Sequence, residues 1–387
     1  MIIKHFTDND LYKFSIMMAI ERVYPWAEVK YDFINRGGTQ FPKGFAERIQ
    51  EEVNAMANLR MTKEEKDFIR RRCYFFDPAF IDFLEGYQYD PQEVKIMQDG
   101  GELKVSIEGY WYRTVLWEVP LMAIISELYF QMMGIKPIEV EERALEKSNK
   151  LCEIAADFSD FGTRRRFSFD VYDRVIACLK NNSGSFFKGT SNMYLAMKYN
   201  TTPIGTMPHE WFMYHGAIYG YRAATVKALD AWVEVYHSSL GICLTDTYTT
   251  DVFYKSFGLK HAKLFDGVRW DSGNPLAFTE QTIEFYKKNR IDPLSKTIVY
   301  SDSLNFEKVK AIKKYVNGRV HDAYGIGTYF SNDVGAKPLN MVIKLTSVKP
   351  ASNMDYLYAV KLSDVAGKNT GDINEIELSK RTLGIKQ

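Results

Sequence analysis

Between residues 153 and 333 the chain repeats one pattern seven times: a short apolar run, a polar or glycine-bearing turn, then an amphipathic helical stretch. The runs with their turns are "EIAADFSDFGTRRR", "SGSFFKGTSN", "TPIGTMPHEW", "GICLTDTYTTD", "AKLFDGVRWDSGN", "KTIVYSDSLN" and "VHDAYGIGTYFSND". Strands that run the same way in one sheet need crossover helices between them, so the series predicts a parallel sheet. The number of units favours a barrel over an open sheet. In each unit the unusual chemistry lies at the carboxyl end of the apolar run, which is where an α/β barrel places its site.

The earlier part of the chain reads differently. Residues 8–22 predict a helix, 27–36 alternate like a strand, 43–72 form a charged helical stretch, and "ELKVSIEGYWYRTVLWEVP" reads as paired strands with a turn near Gly109. The expectation is an irregular α/β barrel over residues 121–344 and an N-terminal α+β domain over 1–120, joined by a C-terminal tail, 345–387. A length of 387 residues, 46% of them hydrophobic, is sufficient for both cores. Fifty basic against 49 acidic residues give a net charge of +1, so no polycationic field draws the molecule to nucleic acid or to an anionic membrane. No window is expected to approach the roughly 20 apolar residues that span a bilayer, and "MIIKHFTDND" lacks the order of a secretory signal. Cys73, Cys152, Cys178 and Cys243 are scattered without CxxC spacing, as in a reduced cytoplasmic protein.

The turns should converge on one mouth. Helix capping explains their Ser, Asp, Asn and Gly residues one by one, but it does not call for the arginines or the histidine. "GTSN" (Gly189, Thr190, Ser191, Asn192) and "GIGT" (Gly325 to Thr328, with Gly327 between) each offer backbone N–H groups beside a hydroxyl, an arrangement that holds phosphate. Arg269 and the run Arg164, Arg165, Arg166 add forks for phosphate or carboxylate. Asp271 and Asp302 suit sugar hydroxyls or the water shell of Mg²⁺. A polyphosphorylated sugar with magnesium would satisfy the set.

His209 ends one apolar run. No HxxxH, HxH or HExxH spacing accompanies it, and His215 lies six positions on and faces elsewhere, so a zinc site is not expected. Asp246 of "TDTY" could accept its N–H, which would make the imidazole a base or nucleophile of fixed tautomer. His5, His215, His237 and His261 have no evident partner and read as structural, as does "RRRCYFF" at 70–76. "NRGG" at 35–38 closes a strand and could reach the substrate, but it is not counted among the site residues.

Taken in order, "TDNDLYKF", "FSDFGTRRR", "KGTSN", "GTMPHEW", "LTDTYTTD", "RWDSGNP", "SDSLN" and "GIGTYFSND" resemble the bacterial-type nicotinate phosphoribosyltransferases, type II phosphoribosyltransferases, over nearly the whole chain. The resemblance implies transfer of a phosphoribosyl group from 5-phosphoribosyl-1-diphosphate to nicotinate in NAD salvage, with ATP as co-substrate, Mg²⁺ as cofactor and a phosphohistidine at His209 steadied by Asp246. It implies a homodimer in which Tyr12 comes from the partner subunit and sandwiches the nicotinate ring with Phe161. Arg164 or Arg165 would grip the nicotinate carboxylate and Arg269 would bridge base and phosphates. Thr190, Asp271, Ser272, Gly273, Asp302, Gly325, Gly327 and Thr328 would hold the phosphoribosyl diphosphate. The related nicotinamide enzymes carry an acid where this chain has Ser191, so a neutral hydroxyl there favours the acid over the amide. A quinolinate- or nicotinamide-type transferase, or a phosphate-ligand sensor on the same barrel, is the alternative.

Overall fold

The computed structural model describes residues 1–365 and 367–385. Its strands, in chain order, are β1 (Glu28–Asn35), β2 (Val94–Asp99), β3 (Glu102–Tyr110), β4 (Phe158–Asp160), β5 (Phe187–Thr190), β6 (Thr202–Pro203), β7 (Ile242–Leu244), β8 (Gly267–Trp270), β9 (Thr297–Tyr300), β10 (His321–Ile326), β11 (Met341–Lys349) and β12 (Leu357–Tyr358). Each of the seven apolar runs yields one of β4 to β10. They pair in parallel in the order β6-β5-β4-β10-β9-β8-β7. Among the described residues no ladder joins β6 to β7, so the sheet curls into a barrel with an open seam. The chain crosses from β6 to β7 through the helices His209–Tyr219 and Tyr221–Tyr236.

The second sheet, β12-β11-β1-β3-β2, is antiparallel and draws on both ends of the chain. β1 lies between β3 and β11, with Glu28 opposite Lys349 and Asn35 opposite Met341. The tail does not pack as one unit. After β11 it returns to the barrel, where Leu362 N–H donates to the Thr247 carbonyl and Asp364 accepts from Thr250. The helix Ile373–Leu383 then lies on Tyr221–Tyr236, held by Tyr221 to Glu375 at 2.6 Å and by Arg222 to the Thr382 carbonyl at 2.9 Å.

Two local expectations are corrected. The hairpin turn is Gly100-Gly101, between β2 and β3, and beyond Tyr110 the chain is helical from Trp111 to Met132. This stretch is rich in aromatic and β-branched residues and so imitates strands, but residues 114–128 are buried on every side and need no alternation. It is also long and apolar enough, at 22 residues, to cross a membrane, which the sequence reading did not anticipate; its burial inside the protein accounts for its composition. The charged stretch 43–72 divides into the helices Phe45–Met56 and Lys63–Arg72, because Thr62 and Glu65 form a capping box that starts the second.

The N-terminal segment is stapled into the barrel. Asp8 and Arg166, both fully buried, pair through two bonds of 2.6 and 2.9 Å, and Asn192 donates to Asp8 at 2.8 Å. Backbone bonds run from Leu11 to Ser191, Met193 to Asn9 and Tyr194 to Thr7. Removing one partner of such a pair leaves a bare charge in the core, a loss of several kcal/mol, roughly 3–5. Asp8→Ala is therefore expected to lower the thermal midpoint by many degrees in a melting experiment.

Candidate functional site

The carboxyl ends of the parallel strands open on two joined cavities. The larger, a cleft of about 970 Å³ open to solvent, is lined by Arg36, Glu118, His209, Asp271, Ser272, Asp302, Lys344, Lys361, Ser363 and Lys368 among others. The smaller, a slot of about 320 Å³, is lined by Asp10, Tyr12, Phe161, Arg164, Ser191, Ile204, Gly205, Thr206 and Arg269. Tyr12, Arg164 and Arg269 line both. They form the passage between an aromatic slot and a cationic cleft.

His209 is the first residue of its helix, at the open seam. Its Nδ1 lies 2.9 Å from the Thr247 hydroxyl, and its Nε2 lies 2.8 Å from the Lys361 amine and 3.1 Å from Asp271 Oδ2. An ammonium can only donate, so Lys361 favours the tautomer with a bare Nε2 and an Nδ1–H directed at Thr247. Burial and the Lys361 charge push the imidazole pKa down to about 4 against the pull of Asp246 and Asp271, leaving a neutral ring at neutral pH whose Nε2 lone pair faces Lys361. The expectation that Asp246 holds a ring nitrogen is corrected: its nearest oxygen is 3.7 Å from Nε2. Thr247 and Lys361 hold the two ring nitrogens instead, since Asp246 is fully buried beneath, accepting from Ser272 at 2.7 Å and lying 3.5 Å from Lys361.

Asp271 is fixed from three sides, accepting from Arg269 at 2.7 Å, from Ser301 at 2.8 Å and facing His209. Although burial opposes ionisation, the charges of Arg269 and Lys361 hold its carboxyl well below the usual range. Arg269 also donates to Ser301 at 2.7 Å and to Thr206 at 2.8 Å, which locks its fork at the passage. Arg164 is steadied by Glu118 at 3.1 Å, and Glu118 in turn is ion-paired to the buried Lys13 at 2.5 Å. Lys13 also pairs with Glu210, which accepts from Tyr31 at 2.5 Å. Lys344 is pushed down to about 7 by burial and by Lys361, so a polyanion entering the cleft would draw a proton onto it.

Other expected site residues lie elsewhere. Tyr12 reaches the slot from this same chain, because the N-terminal staple carries the start of its helix to Ser191; the slot needs no Tyr12 from a partner. Arg165 lines neither cavity, and burial with Arg164 and Arg36 nearby pushes its pKa down to about 10. Arg166 is bound to Asp8. The "GTSN" turn does not present free amides: Ser191 N–H donates to the Asp160 carbonyl and Asn192 N–H to the Thr190 hydroxyl, while Thr190 itself donates to Asp160 at 2.7 Å. A phosphate would find these donors already used.

Gly325, Gly327 and Thr328 line neither cavity. Gly325 sits in β10 behind Phe161, where a Cβ would lie 2.4 Å from the ring. Glycine there lets the ring stand against the sheet. Gly325→Ala is expected to cost about 1–3 kcal/mol by overpacking, read as a lowered thermal midpoint, with Phe161 displaced in the variant's structure. Gly273 adopts φ +81 in the turn after Ser272, with Asp364 beside it. His215, read as structural, is fully buried between Tyr24 at 2.8 Å and the Trp211 carbonyl at 2.7 Å. His261 does have a partner, Asp230, at 2.9 Å.

Sequence reading missed Arg36, Glu118, Lys344, Lys361 and Lys368, all on the cleft wall. Two signals were available: Arg36 sits in the strand-closing "NRGG", which could reach the substrate, and Lys344 is a charge inside the alternating run "MVIKLTSVK" of β11. Lys361 and Lys368 lie in a tail whose return to the barrel has no local mark.

Comparison with known proteins gives one family over nearly the whole chain. The model of the nicotinate phosphoribosyltransferase (NAPRTase) N-terminal domain matches residues 7–126, and that of the NAPRTase family matches residues 156–387. A nicotinate phosphoribosyltransferase of Chromohalobacter salexigens is 49% identical over 383 residues, covering 98% of each chain. Another, of Desulforapulum autotrophicum, is 50% identical over 378 residues and covers 97% of each. The crystal structure of nicotinate phosphoribosyltransferase from Porphyromonas gingivalis superposes with a TM-score of 0.98 at 45% identity, covering 99% of this chain and all of that one.

Proposed function

The chain belongs to the nicotinate phosphoribosyltransferase family, and from that premise we propose how its two cavities divide the reaction. The activity joins nicotinate to 5-phosphoribosyl-1-diphosphate and yields nicotinate mononucleotide and diphosphate. The pyridine nitrogen forms a bond to the sugar C1 as the C1–oxygen bond to diphosphate breaks, through a state with cationic character at C1. Catalysis then requires alignment of a weak nucleophile and neutralisation of a leaving polyanion. The observation that carries our reading is the junction of a slot lined by Tyr12 and Phe161 with a cleft rich in Arg and Lys.

In this reading nicotinate enters the slot between Tyr12 and Phe161, with Arg164 on its carboxylate and its nitrogen toward Arg269 and the cleft. Arg36, Lys344, Lys361 and Lys368 supply the positive charge that the diphosphate needs. They take over the role expected of the "GTSN" amides. The fit for Mg²⁺ rests on Asp302, whose oxygens, among the described residues, meet neighbouring Ser303 at 3.0 Å and Lys368 at 3.8 Å and leave room for a water shell. Mg²⁺ there would offset charge on the diphosphate. Beside His209, Asp246 and Asp271 the Lys361 amine already lies 2.8 Å from His209 and 3.5 Å from Asp246, which disfavours a second cation there.

His209 is the group we assign to ATP coupling. Its bare nitrogen would take the γ-phosphoryl group, forming an N–P bond as ADP leaves, and hydrolysis would later release phosphate. Phosphorylation beside Lys361 and Asp271 changes the charge facing the diphosphate, and its effect is limited by the difference in affinity between the two forms. Because the ring stays neutral down to about pH 4, phosphoryl incorporation from γ-labelled ATP is expected to remain level as pH falls through 6.5, the ordinary histidine value, and to decline only near pH 4–5. A decline centred at 6.5 would contradict the assignment. The cysteines are unpaired, in keeping with the cytoplasmic location we infer. The direct test of function is product formation from nicotinate, nicotinamide and quinolinate in parallel, with nicotinate preferred.

A further inference from the structure

The slot contains a carboxyl group that phosphoribosyl transfer does not use. Asp10 is 2% exposed, lines the slot with Tyr12, Phe161 and Arg164, and accepts the Ser191 hydroxyl at 2.7 Å. A neutral Ser191 was expected to admit an acidic substrate because a carboxylate at that place would repel it. The structure puts a carboxylate directly behind the hydroxyl. In this arrangement Ser191 spends its only proton on Asp10 and turns lone pairs toward the substrate's carboxylate.

The charges around Asp10 do not relieve this conflict. From the turn 163–165, Arg164 faces it but is shared with Glu118 of the helix Glu118–Met132. Asp160 of β4, its carboxyl pushed up to about 7 by burial and by Asp10, brings no positive charge, and Tyr172 and Thr190 donate to it. Arg166 is consumed by Asp8, Arg269 by Asp271, and Lys13 by Glu118 and Glu210. Bringing a substrate carboxylate into this slot puts two anions against a single shared guanidinium, and like charges at such range do not both remain ionised.

We propose that nicotinate binds together with one proton, which Asp10 takes from solvent. The Asp10 O–H then donates to Ser191 Oγ, and the Ser191 O–H turns to donate to the nicotinate carboxylate. No covalent bond to substrate is made and the charge added by nicotinate is cancelled by the proton. Burial already holds the Asp10 carboxyl above the usual range, against the hydrogen bonds from Thr163 and Ser191 and the Arg164 charge, so little further shift is needed. The relay rests on our placement of nicotinate in the slot. It makes Asp10 a specificity-determining residue: protonated it accepts the acid, and ionised it would favour an amide.

The test is calorimetric titration of nicotinate into the wild-type protein in buffers of different ionisation enthalpy between about pH 6 and 9. We expect uptake approaching one proton per site and a Kd that weakens up to tenfold per pH unit as pH rises through the free Asp10 value. In Asp10→Asn, whose amide donates to Ser191 at every pH, uptake should vanish and the Kd should become level. Zero uptake in wild type, or wild-type uptake retained in Asp10→Asn, overturns the relay. Should the variant fail to fold, infrared difference spectra of wild type with ¹³C-aspartate decide: nicotinate must raise an isotope-shifted protonated-carboxyl band, and its absence overturns the proposal. A wild-type protein that forms product without proton uptake defeats only the relay, whereas one that neither binds nor converts nicotinate defeats the reading of the slot.

Discussion

Replacing His209 with Asn is expected to abolish acid-labile label from γ-labelled ATP and to make turnover indifferent to ATP. The asparagine amide can keep contact with Thr247 and Asp271, so the fold around the helix His209–Tyr219 is preserved while the nucleophilic nitrogen is lost. Positioned nucleophiles and bases contribute on the order of 10²–10⁴-fold. We therefore expect the ATP-stimulated rate at low substrate to fall about 100-fold, to the level seen without ATP. Lys361→Met provides the internal control. It removes the amine from Nε2 without touching the ring, so label should still form while the response of turnover to ATP weakens. Label surviving on His209→Asn would assign the phosphoryl group to another residue and detach ATP coupling from the seam of the barrel.

The periodic and local features of the chain were legible in its sequence. The seven parallel strands announced themselves because each needs an apolar run and a turn. His209, Asp271 and Asp302 could be found because they come directly after such runs. Trp111–Met132 was misread because complete burial erases the periodicity that distinguishes helix from strand. The rest was hidden for a different reason. Tyr12 and Asp10 lie about 180 positions from Ser191, and the pairing of Asp8 with Arg166 and the backbone bonds of the N-terminal segment bring them together. Lys344 and Lys361 arrive from the tail. Chemistry assembled by long-range contacts leaves no spacing to read, and a turn such as "GTSN" that looks like an anion cradle can have its donors consumed within the fold.

Arg164 separates the two halves of the site, and its replacement should do so kinetically. The guanidinium lines both cavities, and Glu118 fixes its direction, so a carboxylate in the slot would meet a pre-aimed fork. Truncating one partner of a buried charge pair costs about 2–5 kcal/mol. For Arg164→Ala we accordingly expect the KM for nicotinate to rise by about 10²–10³-fold, with the KM for 5-phosphoribosyl-1-diphosphate changed by less than about threefold. Glu118 keeps Lys13 as partner in this variant, which protects stability and keeps the loss interpretable. Arg164→Lys should fall between, since it restores charge without the two-pronged geometry. Arg165→Ala, outside both cavities, should leave the nicotinate KM near wild type. The opposite pattern, a large effect on the sugar diphosphate and none on nicotinate, would place the base in the cationic cleft and reverse the orientation argued from the aromatic slot. Nicotinamide sharpens the comparison: lacking the carboxylate, it should lose little affinity in Arg164→Ala, so the variant's preference for acid over amide should collapse even as its total activity falls.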